Sequence, residues 1–350
     1  MIQIQDKRKP DDVKDSLWKE IVEEIEEFNM DSEKWAEKEA NPSSTEEGFP
    51  FRNITTVYQA ADALSIENSR KHQQIIGILS LCATFLTMAF LLYDEMYLYG
   101  LIVVCGILLI ALFAINKIAD RLRCHKKYLE YRLFAEGLRV QYFLLKAGIQ
   151  RNIATLLPWS WQFNVPWTKT AFDILSDEMK SEMETGENGP LTKSPILDIW
   201  IRDQRNYHVK ALAKNEIRTK TNDRIMTISL LCAVLAYIGA LAFEITAGGL
   251  FSGSPMMASE KLESVRTILK ILLGTLSAIT LFAGNYYGKL SLEDAAQDHR
   301  RMIALYEKAE KEILEHGETE EELLYLAREE LEENSSWYAY QNKNKPDISI

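Results

Sequence analysis

Cysteine is scarce in this chain, with four in 350 residues. Cys82, Cys105 and Cys232 fall inside apolar blocks and only Cys124 lies outside one. No disulfide framework is expected, and no CxxC or Cys/His spacing points to zinc. A basic surplus is missing too: 40 Lys and Arg stand against 51 Asp and Glu, a net charge of −11. That balance excludes general nucleic-acid binding, which needs a basic footprint. Catalytic motifs are also absent. There is no GxxxxGK[ST], no GxGxxG after a strand, no GxSxG and no HExxH. The five histidines (His72, His125, His208, His299 and His316) are scattered, without a spaced carboxylate or cysteine partner. Each reads as a polar surface or interface residue. No enzyme activity, cofactor or metal is expected. No stretch alternates as strands do, so the fold should be all-α. The first residues, MIQIQDKRKPDDVKDSLW, are charged and have no apolar core, so no signal peptide is expected.

What is present is long apolar runs. The mean hydropathy of −0.17 hides them. Ile75 to Tyr93 and Tyr97 to Ile115 are each 19 residues without a charge, and so is Ile225 to Phe243. A bilayer core of ~30 Å needs about 20 apolar residues at a helical rise of 1.5 Å. Val265 to Tyr287 is a fourth candidate; it contains Lys270 near its expected outer end, where the side chain can snorkel. Positive residues flank the inner ends: Arg70 and Lys71, then Lys117 to Lys127, then Arg218 to Arg224, then Lys289 to Arg301. Asp94-Glu95-Met96 has no positive charge, and Glu244 to Ser264 has one lysine. Both termini and the central region should therefore be cytosolic.

The layout repeats. Ala63-Leu64 before the first span and Ala211-Leu212 before the third are each followed, six residues after the Leu, by Arg70 or Arg218. LSLC ending at Cys82 and SLLC ending at Cys232 come next, with a two-residue insertion. A histidine-bearing polar helix follows each hairpin. A duplicated two-span unit accounts for this pattern.

The expected architecture is an all-α integral membrane protein of two transmembrane helical hairpins with long cytosolic helical extensions. Residues 1–50 form a cytosolic helix and loop. Residues 51–183 hold the first two-span unit (spans about 75–93 and 97–115), and 184–195 are a linker. Residues 196–345 hold the second unit (spans about 225–243 and 265–287) and the C-terminal helices. Within 11–29, Leu17, Trp18, Ile21, Val22, Ile25 and Phe28 share one helix side. The polar face there is acidic, unlike a membrane-surface helix, so this helix should pack on the cytosolic domain. From Tyr97 to about Ala147 nothing interrupts the helical pattern, which predicts a single helix of about 50 residues, ~75 Å long. Arg132, Glu136 and Arg139 are spaced to pair along its solvated surface. Leu157 to Trp167, LPWSWQFNVPW, breaks the helix and carries three tryptophans; it suits either an interfacial belt or a packed connection. A helix over 196–224 leads into the third span. Residues 290–316 form a charged amphipathic helix ended by Gly317, and Thr319 with Glu322 makes a capping box for a helix over 320–333.

Polar groups inside a bilayer are costly and therefore informative. The fourth span places Lys270, Gly274 and Ser277 on one face, with Thr275, Thr280 and Asn285 nearby, and the second span ends at Asn116. This face is a candidate lining for an aqueous path in an oligomer. Small residues of this kind equally serve close helix packing.

Three segments carry a family resemblance: YRLFAEGLRVQYF (Tyr131 to Phe143), WIRDQRNYHVKALAKNEIR (Trp200 to Arg218) and LAREELEENSSWYAY (Leu326 to Tyr340). They resemble the helices that follow and lead into the hairpin in the bacterial SLATT group, the SMODS and SLOG-associating two-transmembrane effector domains. The resemblance covers about residues 50–345 as two tandem units. Its cytosolic motif here is Arg132, Glu136, Arg139, Trp200, Gln204, Tyr207 and Trp337. It implies a multi-pass protein of the bacterial inner (plasma) membrane, acting as an effector of anti-phage defence that forms pores or depolarises the membrane when triggered. The implied partners are the lipid bilayer, further copies in a homo-oligomer, and a soluble signalling partner or a nucleotide second messenger, with no nucleic acid. No SLOG-like Rossmann segment is present, so a nucleotide would act through a separate partner or through the helical region itself. A constitutive ion or small-solute channel and a non-conducting membrane scaffold are the alternatives.

Overall fold

The structure, a computed structural model, describes residues 12–38, 52–96, 98–185, 196–246, 260–290 and 292–343. Among these, every regular element is helical. In chain order they are α1 (Asp12–Lys38), α2 (Arg52–Glu95), α3 (Leu101–Leu122), α4 (Cys124–Lys146), α5 (Trp159–Asn164), α6 (Pro166–Thr185), α7 (Asp203–Thr246), α8 (Glu260–Leu290), α9 (Leu292–His316) and α10 (Glu320–Lys343). A 3₁₀ turn at Ile153–Thr155 and a π-helical turn at Leu197–Arg202 complete the set. The loop expected at 41–50 and most of the linker at 184–195 lie outside the described residues.

The chain forms two compact units. Unit 1 takes the chain up to Arg70, then Cys124–Leu212 and Ala295–Lys345; unit 2 takes Lys71–Arg123 and Ala213–Asp294. Each unit thus draws on both halves of the chain. Both α2 and α7 are 44 residues long and run, unbroken, from residues of unit 1 to residues of unit 2.

Unit 1 is built around α4, whose Leu133, Phe134, Leu138 and Leu144 are buried. Its partners are Ile21, Ile25 and Phe28 of α1, Ile54, Val57 and Ala61 of α2, Trp167 and Phe172 of α6, and Leu326 and Leu331 of α10. Phe28 meets Tyr131 and Phe134 edge-on, at ring distances of 5.2 and 5.4 Å, and stacks on Trp167. Each such buried side chain contributes about 1.5–3 kcal/mol through lost apolar surface. Gly137 faces Phe172 so closely that a Cβ there would overlap the ring tip. Gln141 fastens the turn after α4, accepting from the Ile153 N–H at 2.9 Å and donating to the Arg151 carbonyl at 3.0 Å.

Several expectations need correction here. The single helix from Tyr97 to Ala147 is two: Arg123 sits in the left-handed region (φ 50°), its N–H capping Ala119 O, and α4 starts at the next residue. A left-handed arginine costs about 1–2 kcal/mol, and no Pro or Gly marks the spot. α4 is also not a solvated helix, since most of its faces are covered. On α1 the apolar stripe is narrower than predicted: Ile21, Ile25 and Phe28 are buried, but Leu17 and Trp18 are exposed. α1 and α10 extend beyond the predicted ends, to Lys38 and Lys343. Within LPWSWQFNVPW the structure decides for packing at two of three tryptophans: Trp161 is fully buried and donates to Thr168 Oγ1 at 2.9 Å, and Trp167 is 2% exposed. Trp159 instead stacks on Phe163 in the open.

The caps match the sequence reading. Gly317 (φ 88°) ends α9, its N–H donating to Ile313 O at 2.8 Å. At the start of α10, Glu322 N–H donates to Thr319 Oγ1 at 3.3 Å while that hydroxyl donates to the Glu322 carboxylate at 2.8 Å.

Unit 2 holds parts of α2 and α7 together with α3 and α8. Four helical segments are long and apolar enough to cross a membrane: Thr56–Glu95, Leu101–Lys146, Leu197–Phe243 and Ser264–Gly284. Their most apolar windows are only 6–17% buried, so the chain itself leaves most of that apolar surface uncovered. Where the helices do touch, small groups mediate the approach. Gly274 of α8 lies against Leu91 of α2, where an added Cβ would come within 2.6 Å of Cδ1.

Candidate functional site

The residues singled out in α8 divide by environment. Thr280 is committed to packing: its hydroxyl is 2.7 Å from Ser229 Oγ of α7 and bonds Leu276 O at 2.9 Å. Thr275 is half-buried and its hydroxyl is buried without a hydrogen-bond partner. Ser277 is exposed. Lys270 is exposed and ion-paired with Glu95, Nζ to Oε2 3.1 Å, at the C-terminal end of α2. Asn116 is half-buried near the end of α3. The Asn285 side chain lies outside the described residues. Of the Lys270–Gly274–Ser277 face, then, Gly274 packs inward and the other two side chains remain outward.

The second set of expected residues, from Arg132 to Trp337, is more sharply organised, all within unit 1. Glu136 of α4 lies between two arginines of its own helix. It pairs closely with Arg132, and its Oε2 is 2.7 Å from Arg139. Arg132 also reaches Asp62 Oδ1 at 3.4 Å and donates to the Tyr207 hydroxyl at 3.2 Å. Arg139 donates to the Tyr58 hydroxyl at 3.4 Å. The i, i+4, i+7 spacing was legible in sequence, but its setting was not. Burial alone would raise the Glu136 pKa; the fields of Arg132 and Arg139 outweigh it and hold the carboxylate below its ordinary value.

A second buried carboxylate lies in the same core. Glu330 Oε1 accepts from Trp200 Nε1 and from the Tyr306 hydroxyl, both at 2.6 Å. Burial pushes its pKa up to about 7, against the opposing pull of those two hydrogen bonds. Trp200 is fully buried and stacks on Phe143 at 5.0 Å, 13° from parallel. The π-helical turn that carries it shifts the register of the segment leading into α7, and such turns recur at functional positions. Two histidines complete the group: Nδ1 of His208 and Nδ1 of His299 are 3.0 Å apart, one donating and one accepting. Burial, and then the neighbouring His299, push the His208 pKa down to about 4; burial and Arg132 lower that of His299. Gln204 is buried, Tyr207 is exposed and Trp337 meets Tyr128 edge-on at 5.8 Å. Compared with protein-family models, with curated proteins and with solved structures, this chain gives no match.

Sequence reasoning missed Glu330, Tyr306, Tyr58, Asp62 and the His208–His299 pair. Glu330 sits in AREELEENSSW, where one acid among four looks like a solvated face. The histidines are 91 residues apart and meet only in the folded unit. His208 is 9% exposed, within the core rather than at the surface. His316 lies beside Glu312 and Glu322 at the surface, an arrangement common without any ion.

Chemically, this cluster lacks a nucleophile with an adjacent base. It is a set of desolvated charges and hydrogen bonds, joined across α2, α4, α7, α9 and α10, whose protonation and geometry are interdependent.

Proposed function

We propose that this chain is a multi-pass protein of the bacterial inner membrane, with both termini cytosolic, and that unit 1 is a trigger-responsive element. On receiving its signal, from a soluble partner or a nucleotide second messenger, the chain oligomerises or rearranges and permeabilises or depolarises the membrane, stopping growth of a phage-infected cell. The carrying observation is the pairing, in one chain, of four apolar membrane-length helices with a helical unit whose centre is a buried ion network. Helices α2 and α7 each contribute residues to both units. The outward Lys270 and Ser277 are where copies of the chain would meet or a path would form; Thr280, already paired with Ser229, serves packing. The SLATT-like segments are the reason for assigning the output to anti-phage defence.

The test follows membrane potential with a voltage-sensitive dye during phage infection of cells carrying the gene and its genomic neighbours. Depolarisation and reduced phage yield are expected, and both should vanish on deletion of the gene. Unchanged potential and equal survival in the two strains would overturn the proposal. Depolarisation without infection would instead favour a constitutive channel.

A further inference from the structure

Within unit 2, α2 and α8 meet along a seam whose register follows from two contacts. Near the C-terminal end of α2, Glu95 Oε2 lies 3.1 Å from Lys270 Nζ of α8. One turn earlier on α2, Leu91 lies against Gly274, one turn later on α8. Four residues back on one helix match four forward on the other. The two helices therefore run antiparallel and keep one face toward each other. Ala278, the next position on that face of α8, is 6% exposed. The seam joins the two apolar hairpins, since α2 leads into α3 and α7 leads into α8.

Two kinds of contact hold this seam. At Gly274 and Ala278 the helices approach through small residues, where van der Waals packing is the main attraction. At Glu95 and Lys270 the contact is ionic. Lys270 lies six residues inside the Ser264–Gly284 segment, about 9 Å along the helix axis at 1.5 Å per residue. An ammonium at that depth is costly without a partner, and Glu95 supplies one. The two side chains are 54% and 21% exposed, so the pair is open to exchange of partners. A third observation points to a second packing. Thr84, Thr87 and Thr280 each bond the carbonyl four residues back in their apolar helices. Thr275, beside Gly274, has its hydroxyl buried with no hydrogen-bond partner. A hydroxyl left unpaired in this packing favours a rearranged one in which water reaches it.

We propose that the Glu95–Lys270 pair is a clasp holding the α2–α8 seam shut, and that the two hairpins part along this seam when the membrane is permeabilised. The inference rests on the function proposed above. It adds to that function the contact that keeps the untriggered chain silent.

The test follows membrane potential in cells carrying the full chain and its genomic neighbours, with the amount of each variant in the membrane matched by immunoblot. Glu95→Lys sets two like charges in contact. It should raise the depolarised fraction of uninfected cells about 5-fold over wild type, the upper range for an exposed ion pair. Lys270→Glu should do the same. Combining Glu95→Lys with Lys270→Glu restores the pair and should return uninfected cells to the wild-type potential, a rescue that general misfolding does not allow. Where a reversal fails to reach the membrane, Glu95→Gln removes the pair without adding a charge and replaces it in the comparison. Glu95→Cys with Lys270→Cys, joined by a bis-maleimide, should stay polarised on infection, whereas either single cysteine variant given the same reagent should depolarise. If wild type depolarises on infection and the reversals and the cross-linked chain behave like it, the clasp is overturned and the function above stands. Failure of the exchanged pair to rescue overturns the clasp as well. A wild type that keeps its potential on infection overturns that function, and the clasp with it.

Discussion

Replacing Glu136 by alanine should be among the most damaging single changes in unit 1, and the reason can be worked through. The Glu136 side chain is 11% exposed and faces two guanidiniums, those of Arg132 and Arg139. Removing the carboxylate leaves two buried like charges with no acid between them. Breaking a buried ion pair costs about 3–5 kcal/mol, because the survivor stays desolvated. Two features pull the figure toward the lower end. Arg132 and Arg139 are 23% and 18% exposed, so water reaches them. They also keep Asp62, Tyr207 and Tyr58 as partners. A loss of about 3 kcal/mol is expected, equivalent to a Tm drop of about 10 °C for a unit of this size. Thermal unfolding in detergent, followed by near-ultraviolet circular dichroism of the buried tryptophans, measures it. The double variant Glu136→Leu with Arg139→Met should recover most of the loss, since a matched apolar pair removes both charges. The pH dependence carries a definite sign. The folded pKa is depressed, so the stabilisation is present above about pH 4.3 and disappears as the pH falls through the lower folded value. A Glu136→Ala drop below about 1 kcal/mol would refute the reasoning, by placing this cluster with surface ion pairs.

Two further outcomes can be checked on the same material. Gly137→Ala should destabilise unit 1 by about 1–3 kcal/mol, because Phe172 is 2% exposed and has nowhere to move; Phe172→Leu in the same chain should restore part of the loss in thermal melts. Glu330 gives the opposite pH behaviour to Glu136. Its folded pKa is raised to about 7, so the native state holds the proton more tightly and stability declines as pH rises from about 4.3 to 7, by up to about 1.4 kcal/mol per pH unit. Glu333, pushed up to about 8 by burial and by Asp298, acts in the same direction. Glu330→Gln should therefore flatten part of the slope of Tm against pH, and an unchanged slope would place a charged Glu330 in the folded core.

Much of this protein was legible in one dimension. Helices of membrane length announce themselves because 19 uncharged residues in a row have no other low-cost setting; those at 75–93 and 225–243 fall within the apolar helices of the structure, and that at 97–115 overlaps a helix that starts later, at Leu101. Gly317 and Thr319 marked their caps because capping is local, needing only φ freedom and a side chain three residues from its partner. Pairing among Arg132, Glu136 and Arg139 could be foreseen from helical spacing alone. Whether that trio faced water was a different kind of question. α4 is charged along part of its length, yet α1, α2, α6 and α10 cover it, and only their arrival turns a solvated ion pair into a buried one. The same holds for Glu330, which draws its character from Trp200 and Tyr306 at separations of 130 and 24 residues. It holds again for Lys126, whose close partner Glu24 lies 102 residues away in the chain. Local periodicity and hydrophobicity are properties of neighbouring residues, so the sequence determined the apolar runs, the helical class and the caps at Gly317 and Thr319, though not the break at Arg123. Desolvation depends on what comes from elsewhere in the chain, so only the tertiary structure decided which charges are buried and what each of them faces.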